Sequence, residues 1–335
     1  MEKRLFLSMN KKYTLLIIVG IVILIVVPFI GNIRINLNSL FRHTSDPHNF
    51  IFWQLRLPRT LLAFIVGSTL AVAGLIFQNL FKNSLATPYT LGVSSGAAAG
   101  TVLAIKLNLA LPFLGLGGTY VYGFIGALAT IAVILAITRI VKSSSIYTLL
   151  MSGVALNFFF SSLILLVQYL LDFTETVSVL RWLMGGLTVT GYSEILFLVP
   201  LYIFFIVTTF LLRHELMLIS GGDQFAQSKG IDVKKLRNGL FILVSLIVGI
   251  VVSITGPIAF IGMIVPHISR LVFKEDFKAV TFMTVLMGGL LLVLTDFLSR
   301  VLIPPVEIPV GIITSFMGAP FFLFILISKL KENHA

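Results

Sequence analysis

Ten apolar stretches, each close to the length that crosses a bilayer, follow one another along the chain, and the charged positions collect in the short gaps between them. A spanning helix needs about 20 mainly apolar residues. The pattern predicts spans over residues 14–31, 60–80, 89–107, 117–138, 146–171, 191–212, 238–256, 258–272, 279–299 and 309–328. The strict alternation of a membrane β-barrel strand is absent, so the expected fold class is an all-α integral membrane protein. The longest gaps are residues 32–59, 172–190 and 213–237, and no soluble domain, linker or low-complexity segment interrupts residues 1–335, which are read as a single transmembrane domain. The first stretch follows a basic N-terminus, as a signal peptide's would. It closes on Val27-Pro28-Phe29-Ile30-Gly31-Asn32 with no small-residue cleavage site, and is read as a retained first span.

Composition agrees: 58% of residues are hydrophobic and 11% charged, against about 25% charged in an ordinary soluble domain. An even number of spans puts both termini on one side. Seventeen of the 24 lysines and arginines fall on that side, and seven (Arg34, Arg42, Arg56, Arg59, Lys106, Arg181 and Arg300) on the other. Basic residues are retained inside, so both termini are expected to be cytoplasmic. The net charge of +11 then reflects orientation and contact with anionic membrane lipids. The basic residues are dispersed and form no nucleic-acid-binding module.

Candidate chemistry is sparse. The absence of cysteine excludes disulfides, thiolate metal sites and cysteine nucleophiles. No Gly-x-x-x-x-Gly-Lys-Ser/Thr run is present to cradle a nucleotide, and His43, His48, His214, His267 and His334 lack metal-ligand spacing. No catalytic residue, metal or cofactor is expected, and the chain is read as a non-enzymatic subunit. The glycine-rich stretch from Gly92 to Gly100 lacks the phosphate-binding lysine and is read as close helix packing.

Four signatures exceed generic membrane character. Residues 53–60 read Trp-Gln-Leu-Arg-Leu-Pro-Arg-Thr, followed by Val66-Gly67, Ala71-Val72-Ala73-Gly74, Gln78, and Asn83-Ser84-Leu85-Ala86-Thr87-Pro88 leading into Leu91-Gly92. Residues 255–270 read Thr-Gly-Pro-Ile-Ala-Phe-Ile-Gly-Met-Ile-Val-Pro-His-Ile-Ser-Arg. Gly222 to Gly230 lies in the longest cytoplasmic loop, and Asp296 to Arg300 with Pro305-Val306-Glu307-Ile308-Pro309-Val310-Gly311 precedes the last span. In order and spacing these resemble the FecCD/BtuC-type permease subunits of bacterial ABC importers for iron-siderophore complexes, haem or vitamin B12.

The resemblance implies the ten-helix type II ABC importer permease fold in the cytoplasmic membrane. It implies a second permease copy or a paralogous permease, two ATPase subunits that hydrolyse the ATP, and an extracytoplasmic substrate-binding protein. It also implies halves of opposite orientation, spans 2–5 and 7–10; Val66-Gly67 through Gly74 against Val248-Gly249 through Gly256 is a faint trace of such a repeat. Arg56, Arg59 and Arg300 match positions that dock glutamates of the binding protein; from the residues alone, snorkelling to headgroups and an i,i+4 pair of Arg300 with Asp296 stand equally open. The loop 213–237, with Gly222, Asp223, Phe225, Ala226, Ser228 and Gly230, matches the coupling element that enters the ATPase, Phe225 and Ala226 being expected to face that partner. A solvated loop is the alternative. Asn83, Ser84, Leu85, Ile146 and Tyr147 match the cytoplasmic gate, with Ser84 where the family commonly has proline. Asp296 and His267 would be proton-relay candidates in the rival class, a proton-coupled secondary transporter.

Overall fold

The computed structural model describes residues 2–31, 33, 35, 47–109, 111, 118–141, 146–273 and 277–334, and of residues 2–13, 146, 326 and 328–334 the backbone alone. Arg34, Arg42, His43, Lys142 and Lys274 lie outside the described residues. All regular structure among the described residues is helical. The chain runs through α1 (Glu2–Val26), α2 (Pro47–Phe50), a π-helical turn (Ile51–Arg56), α3 (Leu57–Leu80), α4 (Val93–Lys106), α5 (Tyr120–Ile140) and α6 (Ile146–Tyr169). It continues through α7 (Phe173–Leu183), α8 (Ser193–Leu211), α9 (Arg213–Ser220), α10 (Asp223–Ser228), α11 (Val233–Thr255), α12 (Ile261–Val272), α13 (Phe277–Val301) and α14 (Val310–His334).

Six of these helices are long and apolar enough to cross a membrane, and the four shorter apolar helices are Thr14–Phe29, Val93–Lys106, Ile261–Val272 and Val310–Ile325. Together they coincide with the ten expected spans. Three differences matter. The second span is the end of a continuous helix Pro47–Leu80, so residues 47–59 are helical rather than loop. The gap 172–190 contains α7, whose start is fixed by a reciprocal capping box between Asp172 and Glu175. The third and eighth spans are shorter than expected, because residues 81–92 and 256–260 are not α-helical.

α3 is the core of the bundle, buried along nearly its whole length, while α5, α6 and α8 turn most of their surface outward. Lipid tails are as apolar as leucine, so helices associate in a membrane through close packing and interhelical hydrogen bonds. The sequence of α3 supplies both. Gly67 lies against the carbonyl of Gly288 on α13, Gly74 against the carbonyl of Gly262 on α12, and Ser68 Oγ donates to Val285 O at 2.8 Å. α11 meets α5 in the same manner, with Gly249 against Ala127, and Gly96 and Gly100 of α4 lie against α5 at Tyr122 and Gly126. A β-carbon on Gly74 would overlap backbone, which cannot move aside. Gly74→Val is therefore expected to lose most folded protein in detergent, at more than the usual cost of overpacking, about 1–3 kcal/mol. Gly239→Ala, on an open face of α11, is expected to leave the melting temperature unchanged or raise it; size-exclusion yield and thermal melting check both.

α4 and α12 have 14 and 12 residues, and at 1.5 Å per residue neither spans a hydrocarbon core of about 30 Å. Non-helical backbone beside them must find partners within the protein. Tyr89 Oη accepts from Ile258 N–H at 2.7 Å, joining the segment before α4 to the segment before α12. Asn157 of α6 donates to Tyr89 O and Thr90 O at 3.2 and 3.3 Å, and Gly186 N–H donates to Thr255 O at 2.8 Å. Gly256 turns the chain out of α11 with φ +66°, a conformation that suits glycine.

Candidate functional site

The three arginines singled out by sequence sit at one end of the bundle, on the π-helical turn, α3 and α13, and the structure separates their surroundings. Arg56 closes the π-helical turn and is 8% exposed. Its Nη1 donates to Phe29 O at 3.2 Å and its Nη2 to Ile33 O at 2.7 Å, satisfying carbonyls left free beyond the end of the first span. Arg59, one turn on, reaches across to α13 and to the segment after it. Its Nε donates to Asp296 Oδ1 at 2.7 Å and its Nη1 to Glu307 Oε2 at 2.6 Å. Arg300 is 5% exposed and its Nη2 stands 3.2 Å from Asp296 Oδ2, near enough for charge attraction but out of line for a hydrogen bond.

The expected i,i+4 contact of Arg300 with Asp296 is present, but the shorter partner of Asp296 is Arg59. Arg59 and Arg300 balance the carboxylates of Asp296 and Glu307, and Arg56 together with Arg181, which lines the second cavity below, leaves positive charge in excess. Two cavities open here. One of 470 Å³ is lined by Arg56, Arg59, Arg300, Thr188, Thr190 and Glu307, among others. The other, of 870 Å³, extends from Arg59, Thr188 and Glu307 along α7 and the start of α14 to Trp182 and Thr255. Asp296 is 1% exposed and held between two arginines, and the ring of His267 meets Phe321 edge-on. Both rival proton-relay candidates thus have structural surroundings.

At the other end, loop 213–237 forms the two short helices α9 and α10, with Gly222 at φ +135° making the break between them. Leu216, Leu218 and Ile219 turn inward, and α9 packs on α3 and α13. Asp223 opens α10 and is held by Lys82 Nζ at 2.8 Å and Arg237 Nη2 at 2.8 Å. Partial burial disfavours its charge, but the bonds from Lys82 and Arg237 outweigh that and hold the carboxyl below its ordinary range. The pair Phe225 and Ala226 divides: Phe225 is 49% exposed, whereas Ala226 is fully buried against the permease itself, so the expected outward face holds for Phe225 alone. Ser228 Oγ donates back to Phe225 O at 2.8 Å, and Gly230 ends the segment in open space.

The segment after Lys82 turns without a proline. Asn83 Oδ1 accepts from Leu85 N–H at 2.9 Å, so the asparagine side chain closes the turn beside Ser84. Leu85 is 39% and Tyr147 72% exposed; Ile146 opens α6. Lys82 joins this turn to α10 through Asp223.

With this geometry in place, comparison with known proteins is decisive. Residues 15–328 match the model of the FecCD transport family. The chain belongs to that family. It is 37% identical over 294 residues to the ABC transporter permease protein YvrB of Bacillus subtilis, covering 87% of this chain and 83% of that one. It is 34% identical over 320 residues to the hemin transport system permease protein HmuU of Yersinia pestis, covering 93% and 96%. A solved structure, described as an inward-facing conformation of a metal-chelate type ABC transporter, superposes with a TM-score of 0.79 at 28% identity over 94% of this chain and 99% of that one. The permease is thus an ABC importer subunit of the type II fold, a multi-pass protein of the bacterial cytoplasmic membrane that works with another permease copy and an ATPase.

Proposed function

We propose that this permease moves an iron-siderophore complex into the cytoplasm, driven by ATP hydrolysis on the partner ATPase. The observation that carries the reading is the contrast between the two ends: an arginine-lined pair of cavities at one, and at the other an exposed Phe225 on a short helix tied by Asp223 to Lys82. Likeness to a metal-chelate type transporter supports an iron chelate as cargo. In this reading Arg56, Arg59 and Arg300 form the docking region for an extracytoplasmic binding protein, and Gly222, Asp223, Phe225, Ala226, Ser228 and Gly230 form the ATPase-coupling element. Asn83, Ser84, Leu85, Ile146 and Tyr147 form the inner gate. Leu85 and Tyr147 are exposed within one chain, so closure takes the second permease copy. Asp296, paired with two guanidinium groups, serves charge balance.

Inside-out vesicles of the co-expressed transporter carry the test, loaded with ferric hydroxamate, ferric catecholate, haem or cobalamin in turn. ATP-dependent movement of a ferric chelate, insensitive to collapse of the proton gradient, is the expected result; movement of haem or cobalamin instead would reassign the cargo, and dependence on the gradient would end the ABC reading. Orientation is tested in the same cysteine-free background. Phe173→Cys, at an 83% exposed position, is expected to react with an impermeant thiol reagent in spheroplasts. Lys234→Cys, exposed at the start of α11, is expected to react only after permeabilisation, as both termini inside requires. The opposite labelling pattern would invert the topology.

A further inference from the structure

The two cavities at the arginine end share Arg59, Thr188 and Glu307, so the Arg59–Glu307 pair stands as the partition between them. The partners of Arg59 are unequal. Asp296 is 1% exposed, but Glu307 is 48% exposed and sits in the non-helical segment that leads into α14. An exposed ion pair gains little net energy and exchanges readily, whereas a buried carboxylate cannot leave its arginines without a large penalty. Beside the pair, Arg300 lines the 470 Å³ cavity, and its Nη1 and Nη2 are buried without a hydrogen-bond acceptor among the described residues. Positive charge is in excess here, and the buried Nη donors of Arg300 stay unpaired among the described residues while the partition is in place.

We propose that the 470 Å³ cavity seats one carboxylate from a docked protein on Arg300 and Arg59, and that this carboxylate displaces Glu307. Displacement frees the segment before α14. That segment is otherwise held by Ile308 N–H donating to Ser299 O at 3.0 Å, and the start of α14 by Gly311 N–H donating to Gly185 O at 3.3 Å, just beyond α7. Docking is thereby passed to α14 and α7, and the two cavities merge. Arg56, occupied by backbone carbonyls, acts as a positioning residue. The proposal rests on the docking reading above and adds the exchange.

A nitroxide on Val306→Cys, 63% exposed and lining the second cavity, reports the segment's mobility in the assembled permease–ATPase complex in lipid nanodiscs. The probe is fluorescein-labelled hexaglutamate, with hexalysine and ferric citrate as controls. Hexaglutamate is expected to bind, by anisotropy, and to sharpen the spectrum; hexalysine and ferric citrate are expected to do neither. Adding Glu307→Gln is expected to sharpen the spectrum without peptide and to tighten peptide binding several-fold, since the competing carboxylate is gone; Glu307→Asp should restore the parent line shape. Binding without sharpening, or an unchanged Glu307→Gln spectrum, overturns the exchange and leaves docking standing. Failure of hexaglutamate to bind either form overturns the docking reading and the exchange with it. Sharpening by ferric citrate and not by the peptide would assign the seat to cargo and overturn the proposal.

Discussion

Asp296→Ala is expected to remove folded permease from the membrane rather than to slow transport. The side chain is 1% exposed and lies 2.7 Å from Arg59 and 3.2 Å from Arg300. Removing it leaves the largely buried Arg300 without a carboxylate and Arg59 with Glu307 alone. Breaking a buried pair on one side costs about 3–5 kcal/mol, because the surviving charge stays desolvated. That is a large part of the 5–15 kcal/mol margin typical of folded domains. Asp296→Asn keeps an acceptor and should be milder. Glu307→Ala removes a carboxylate from the same arginine where solvent already reaches, and is expected to shift stability by no more than about 1 kcal/mol. Monodisperse yield and melting temperature in detergent measure all three. Equal melting of Asp296→Ala and the parent would show that the arginines find compensation elsewhere.

The contrast between those two carboxylates marks what the sequence could and could not disclose. Hydropathy alone located all ten apolar helices, since burial in lipid demands long unbroken apolar runs. It makes the third and eighth too long, because residues 89–92 and 258–260 are apolar enough to continue a helix but have backbone groups taken by turn bonds, by Asn157 and by Tyr89 Oη. α7 was hidden among polar residues, though Asp172 and Glu175 carried the capping-box spacing that marks a helix start. The pairing of Asp296 with Arg300 was legible, being one turn apart. Its stronger pairing with Arg59 spans 237 positions and follows only from α3 packing on α13. Likewise the amphipathic character of loop 213–237 was visible, but the inward rotation of Ala226 depends on where α9 meets α3. Lys82 was not legible as a partner, since a lone basic residue beside a turn carries no sign that Asp223 will reach it.

Phe225→Asp is expected to abolish ATP-dependent transport while leaving the permease folded. The side chain is 49% exposed at the surface of α10, so replacing it disturbs little within the chain. At a docked ATPase the same position would bury an unpaired charge in a packed contact, which weakens association by several kcal/mol where no partner is supplied. Ala226→Asp reaches the same loss by another route. Ala226 is fully buried inside the permease, so the carboxylate would be forced out of its site and α10 displaced with it, lowering the melting temperature of the permease on its own. Co-purification with the ATPase, melting of the isolated permease and vesicle transport together separate the two cases. Phe225→Asp should melt like the parent and fail to co-purify; Ala226→Asp should fail on both. Lys82→Ala gives the third comparison, because the Lys82–Asp223 pair is more than one-third exposed on each side and contributes little to stability, yet it joins α10 to the turn at Asn83–Leu85, the proposed coupling element to the proposed gate. It is expected to co-purify normally while lowering the cargo moved per ATP hydrolysed. Normal co-purification and transport in Phe225→Asp would take α10 out of the ATPase contact, and with it the route by which nucleotide hydrolysis reaches Leu85.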